Sequence, residues 1–193
     1  MSSNIKTQTI RGVIWSSIER FSMQGVQFVL SIIMARLLTP DDYGLIGMIL
    51  VFMSISQVFI DGGFANALIQ KQDRSDADYS TVFYINLGIS VLFYLMLYAT
   101  APLIASFYNQ PLLTDITRVY SITLILNALT AINKTKLVIA VDFKTQTKIS
   151  FIAALLSGAI GAYCAFTGYG VWSLIIQSIS SSILIILRAE ICV

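Results

Sequence analysis

Six predominantly apolar stretches, each near or above the ~20 residues that a helix needs to cross a bilayer, dominate this chain. They run from Gly12 to Leu38, Tyr43 to Ile69, Thr81 to Phe107, Thr117 to Ile139, Ile149 to Thr167 and Val171 to Leu187. Between them lie polar turns: Thr39-Pro40-Asp41-Asp42, the run Lys71 to Asp76, Asn109-Gln110-Pro111, Lys134 to Lys148 and Gly168-Tyr169-Gly170. Only 11% of the 193 residues are charged and 56% are hydrophobic, against about 25% charged in an ordinary soluble domain. So few ionised groups cannot clothe a water-facing surface, so most of the surface must meet lipid. The expectation is an all-α integral membrane protein, a six-helix transmembrane bundle forming a single domain over residues 1–193.

The chain holds no histidine, which removes the commonest general base and imidazole metal ligand. Its two cysteines, Cys164 and Cys192, make no CxxC pair and read as reduced residues in apolar segments. No P-loop, HExxH or glycine-rich dinucleotide turn is present, and the loops are too short for an enzymatic domain. The reading is therefore not an enzyme, with no catalytic residue, no metal and no cofactor. A net charge of +2 gives no footing for nucleic acid.

The positions of the charges are more informative than their sum. With six spans, Lys6, Arg11, Lys71, Arg74, Lys134, Lys136, Lys144, Lys148 and Arg188 fall on one side. Arg36 and Arg118 fall on the other, and Arg20 lies within the first span. The positive-inside rule then places both termini in the cytoplasm. The first span is not a cleavable signal peptide, because Glu19 and Arg20 interrupt its apolar run and no small-residue cleavage site follows.

Polar residues inside a bundle should face its interior. In the first span Ser16, Arg20, Gln24, Gln27 and Ser31 recur at helical spacing within an arc of roughly 80°. Thr123, Asn127, Thr130 and Lys134 repeat the pattern in the fourth span, and Ser54, Gln57 and Asp61 in the second, just before Gly62-Gly63. The third span adds Asn86 and Ser90, the sixth Ser173, Gln177 and Ser181. Such stripes describe either a hydrated substrate path or plain interhelical hydrogen bonding. A guanidinium at Arg20 favours the wet path and an anionic passenger, with phosphate the natural partner. Arg20, Gln24, Gln27 and Asn127 are the candidate substrate-binding residues. Glu19, turned about 100° from Arg20, and Asp61 are the candidates for ion coupling, Asp61 reading equally as a helix-end cap.

Other features read as architecture. Ala154, Gly158 and Ala162, with Gly161 beside them, let another helix approach the fifth span closely. Tyr98, Phe107, Tyr108, Tyr120, Tyr169 and Trp172 form an aromatic belt at the outer ends, where Arg36, Asp41 and Asp42 act as anchor and punctuation.

Several ordered segments carry a resemblance. Ala35-Arg36-Leu37-Leu38-Thr39-Pro40-Asp41-Asp42-Tyr43-Gly44-Leu45 comes first, followed by Asp61-Gly62-Gly63-Phe64 and Ala67-Leu68-Ile69-Gln70. Ser80-Thr81-Val82-Phe83, Ala101 to Ala105, Phe107-Tyr108-Asn109, Asp142-Phe143-Lys144 and Gly170 to Leu174 continue it. In this order the chain resembles the amino-terminal half of the Wzx-like polysaccharide-transport flippases of the multidrug/oligosaccharidyl-lipid/polysaccharide superfamily. The resemblance implies a bacterial inner-membrane transporter with two six-helix lobes around a central cavity. It implies alternating access that moves undecaprenyl-pyrophosphate-linked oligosaccharide across the bilayer, for lipopolysaccharide, O-antigen or exopolysaccharide synthesis. Arg20 fits the basic cavity residue that engages the pyrophosphate. Members of the family have twelve to fourteen spans, so this chain reads as an amino-terminal lobe, truncated or completed by a second lobe or copy. The alternatives are a multidrug/cation antiporter of the same superfamily, a non-transporting membrane scaffold and an inactive fragment.

Overall fold

The computed structural model describes residues 21, 24–62, 75–139 and 143–192. Among the described residues every regular element is a helix, and the protein is an all-α membrane protein. The helices are α1 (Gln24–Leu37), α2 (Pro40–Asp61), α3 (Asp76–Phe107), α4 (Leu113–Tyr120), α5 (Ile122–Ile139), α6 (Phe143–Phe166) and α7 (Val171–Cys192). Three helical stretches are both long and apolar enough to cross a membrane: Pro40–Asp61, Ala77–Phe107 and Ile149–Phe166. Gln24–Leu37 and Val171–Leu187 are apolar but shorter.

Local chemistry sets the boundaries. Thr39 caps α2: its hydroxyl oxygen accepts from the Asp42 N–H, and the Asp42 carboxylate accepts from the Thr39 N–H at 3.0 Å. Pro40 at the first helical position lacks the N–H that would have gone unused there. The helix thus begins three residues before the apolar run. It ends at Asp61, because Gly62 takes the left-handed conformation (φ 31°) and closes it with a bond to Val58 O; the rest of the second apolar stretch, residues 63–69, lies outside the described residues. Ser75 and Asp78 build a second capping box at the start of α3. With 32 residues, α3 is about 48 Å long and exceeds the ~30 Å hydrocarbon core.

The fourth apolar stretch is divided at Ser121 into α4 and α5. Ser121 Oγ donates to Arg118 O and Thr123 Oγ1 to Tyr120 O, and the Leu124 N–H bonds Ser121 O in a tightened turn. Side-chain hydroxyls competing for backbone carbonyls in this way loosen a helix. The sixth helix likewise starts before its apolar part, at Phe143 where hydropathy alone begins at Ile149.

One continuous core joins five helices. Ile49, Met53 and Ile60 of α2 meet Leu97 and Ile104 of α3, Leu113 and Ile116 of α4, Leu124 of α5, and Val171 and Ile175 of α7. A smaller cluster seats Met34 and Leu38, at the end of α1, against Ala165 of α6. The α6–α7 hairpin is the most extensively packed helix pair. Its small residues serve two neighbours. Gly158 faces Leu30 of α1, while Gly161 faces Gln177 of α7. The outside is apolar as lipid requires: Val58, Tyr84 and Leu103 are 71%, 70% and 69% exposed.

Apart from Thr117, whose Oγ1 is buried without a partner, the buried hydroxyls bond local backbone carbonyls. Ser56, Ser90, Thr130 and Ser173 each donate to a carbonyl three or four residues earlier. For Ser90 and Ser173 this replaces the interhelical bonds expected from their spacing. Asn86 is buried with its Oδ1 unpaired.

Candidate polar groove

Two adjoining depressions, of about 440 and 360 Å³, run along one side of the bundle. They share Tyr120 and Asn127, which stand between them. The larger is formed by Gln27 and Leu30 of α1, Ile46 and Leu50 of α2, Ala154 and Ser157 of α6, and a polar flank of α7: Gln177, Ser178, Ser181 and Ser182. The smaller is formed by Ser54, Gln57 and Asp61 of α2 facing Thr123, Leu124 and Asn127.

Helical periodicity brings these groups together. Ser54, Gln57 and Asp61, spaced by three and four residues, line one face of α2. Gln177 and Ser181 are one turn apart on α7, as are Ser178 and Ser182. Ser182 Oγ donates to Asn127 Oδ1 at 3.4 Å and to Ser178 O at 3.2 Å, so α5 and α7 are tied across the groove. Gln57 Nε2 donates to Asp61 Oδ1 at 2.9 Å. Asp61 is exposed at the C-terminal end of α2, where the helix dipole disfavours an anion. The backbone of Gly62 closes the helix, so the Asp61 carboxylate is left to Gln57 and the groove.

Gln27, Gln177 and Ser181 make no side-chain hydrogen bond among the described residues, leaving two amides and a hydroxyl to meet a ligand. The wall is thus rich in neutral donors and acceptors, with Asp61 as its one carboxylate among the described residues. That composition suits a hydroxyl-rich or hydrated molecule.

Of the residues singled out from the sequence, Gln27, Asn127 and Asp61 line the groove. Gln24 is exposed, one turn before Gln27 on α1. Arg20 and Glu19 lie outside the described residues, as do Ser16, Lys71 and Arg74. The side chains of Lys134 and Arg188 are likewise outside them. Sequence reasoning missed Ser157, Ser178 and Ser182. The run Gln177-Ser178-Ile179-Ser180-Ser181-Ser182 carried the signal, since its serines span more than one face. Tyr120, expected in the interfacial belt, instead stands in the groove wall. Arg36 is exposed, and Asp42 acts as the capping partner of Thr39.

The family described as "Polysaccharide biosynthesis protein" matches residues 33–191. The chain is 28% identical over 180 residues to the succinoglycan biosynthesis transport protein ExoT of Rhizobium meliloti (strain 1021), covering 93% of this chain and 36% of that protein. It is 27% identical to the teichuronic acid biosynthesis protein TuaB of Bacillus subtilis (strain 168), over 84% of this chain and 34% of the relative. Against the lipopolysaccharide biosynthesis protein WzxC of Escherichia coli (strain K12), identity is 25% over 63% of the chain and 25% of the relative. The chain therefore spans about a third or less of the length of these relatives. No solved structure matches it.

Proposed function

The chain belongs to the polysaccharide biosynthesis protein family, and from that membership we propose that it works as one lobe of a flippase for lipid-linked oligosaccharide or polysaccharide precursors. The observation that carries this reading is the groove of amides and hydroxyls between α1, α2, α5 and α7. A glycan head group presents hydroxyls that such a wall can hydrogen-bond in exchange for water, while its lipid tail stays among the exposed apolar side chains. The names of ExoT, TuaB and WzxC, which concern three different polysaccharides, support the substrate class and not a particular sugar.

In this proposal all six apolar stretches span the bacterial inner membrane with both termini cytoplasmic. By sequence spacing Arg20 continues the series of Gln24 and Gln27, and it binds the pyrophosphate of the undecaprenyl carrier. The groove is one wall of a cavity whose other wall comes from a second lobe or a second copy, since alternating access needs two bodies rocking around one site. The chain moves its passenger without covalent chemistry.

The test is glycan export in the host cell. Gln27→Leu with Asn127→Leu, and separately Arg20→Ala, should insert into the membrane at the normal level and leave lipid-linked glycan on the cytoplasmic leaflet. Normal surface glycan in both variants removes the groove and Arg20 from the pathway. The Gln57–Asp61 pair favours a second reading, a cation-coupled multidrug antiporter. Drug efflux that rises with a sodium or proton gradient, and vanishes in Asp61→Asn, would select it.

A further inference from the structure

A third cleft, of about 510 Å³, lies away from the groove, where Tyr94 and Tyr98 of α3 face Asp115 and Arg118 of α4 and Trp172 at the start of α7. It is near the end of the bundle that carries the turn between α3 and α4 and the turn Gly168-Tyr169-Gly170. Three properties set it apart from an ordinary interfacial belt.

The Arg118 guanidinium is the first. It sits 4.5 Å from the centre of the Tyr98 ring, so its position is fixed by cation–π attraction. An arginine that merely anchors a helix at the interface extends its head into water. Here the Nε is buried and has no hydrogen-bond partner, and no ion pair engages the side chain among the described residues. A buried donor left unmade is costly, so the side chain still lacks an acceptor. Second, Asp115 stands one turn earlier on α4 and lines the same cleft, offering an acceptor for hydroxyl protons. Third, the remaining walls carry the rings of Tyr94, Tyr98 and Trp172 beside the aliphatic Val119 and Ile122. Tyr and Trp rings present an electron-rich face that attracts the partly positive C–H face of a pyranose ring. The volume falls within the ~300–1,000 Å³ of small-molecule sites.

We propose that this cleft binds a carboxylated saccharide, with the sugar carboxylate on Arg118, a hydroxyl on Asp115 and the ring against Tyr98 or Trp172. The guanidinium fork matches a carboxylate in two parallel hydrogen bonds, which a neutral sugar cannot supply. This site stands on the cleft alone, so failure of the flippase reading leaves it in place, and the reverse holds too.

Trp172 provides the readout, because the only other tryptophan, Trp15, can be replaced by Phe. The full chain, reconstituted in lipid nanodiscs, is titrated with digalacturonate, with maltose as the neutral disaccharide and with inorganic phosphate. Saturable change in Trp172 emission is expected with digalacturonate, at a concentration where maltose and phosphate give little. Arg118→Gln should weaken that response by roughly tenfold or more, through loss of the charged two-bond contact. Asp115→Ala, at an exposed position that should not disturb folding, should weaken it by a few-fold. Absence of a saturable response, an equal response to phosphate (as a lipid head-group site would give), or unchanged affinity in Asp115→Ala or a folded Arg118→Gln overturns the proposal.

Discussion

Asn127 of α5 and Ser182 of α7 face each other across the polar groove, the serine hydroxyl donating to the amide oxygen at 3.4 Å. It joins two helices across 55 residues of sequence. The bond is long, and such bonds between membrane helices average only about 0.6 kcal/mol. Asn127 also stands where the two depressions meet. Its role is therefore expected in the groove more than in stability. Asn127→Ala should shift unfolding by less than about 1 kcal/mol, read from thermal or denaturant unfolding in detergent, while glycan export falls sharply. A large stability loss with export intact would reverse that assignment.

Apolar length made α3 legible from the sequence, and turn chemistry placed the break at Thr39-Pro40. Length alone does not show where the backbone closes a helix, as Gly62 closes α2. The fifth apolar stretch coincides with the apolar part of α6, Ile149–Phe166, while the helix itself starts at Phe143 with polar residues that hydropathy does not register. Stripes on single helices were readable: Ser54, Gln57 and Asp61 do share a wall. What periodicity cannot give is how one helix is rotated against the next. That rotation turns Ser178 and Ser182 toward Asn127, and it folds Arg118 over Tyr98 where charge counting assigned it only a side of the membrane.

The two glycines of α6 should differ in their tolerance of a methyl group. A Cβ at Gly161 would stand 2.8 Å from the Gln177 Cβ, an atom fixed to the backbone of α7. One at Gly158 would meet the Leu30 side chain, at 2.5 Å from its terminal methyls, which can rotate away. Overpacking costs about 1–3 kcal/mol when neighbours cannot yield. Gly161→Ala should fall in that range and spread the α6–α7 hairpin, whereas Gly158→Ala should cost clearly less. Unfolding measurements on the pair decide it, and equal losses would show that Leu30 is as rigidly held as α7.

Asp61 is held by Gln57 but sits at the end of a helix dipole that disfavours its charge. Asp61→Asn keeps an oxygen for the Gln57 amide and removes the charge. The variant should unfold at the same temperature or slightly higher, a gain of at most about 1 kcal/mol. A lowered melting temperature would mean that the carboxylate supports the fold in its own right. With stability preserved, any change in transport belongs to the charge itself.

The start of α2 and the α6–α7 turn should be energetically coupled through Asp42. Its carboxylate accepts from the Thr39 N–H and hydroxyl, at 3.0 and 2.7 Å, and its Oδ1 would lie 3.0 Å from a Cβ at Gly170. Gly170 also has φ 53°, a conformation that costs a residue with a side chain ~1–2 kcal/mol. Thr39→Ala should cost about 1 kcal/mol through the lost cap. Gly170→Ala should cost more, because it adds the contact with Asp42 to the backbone strain. In an Asp42→Ala background that contact is gone, so Gly170→Ala should lose only the backbone part and the double-mutant cycle should depart from additivity. Strict additivity between positions 42 and 170 would show that the turn does not bear on the cap. The relief would then have to be sought in the backbone of Gly170 alone.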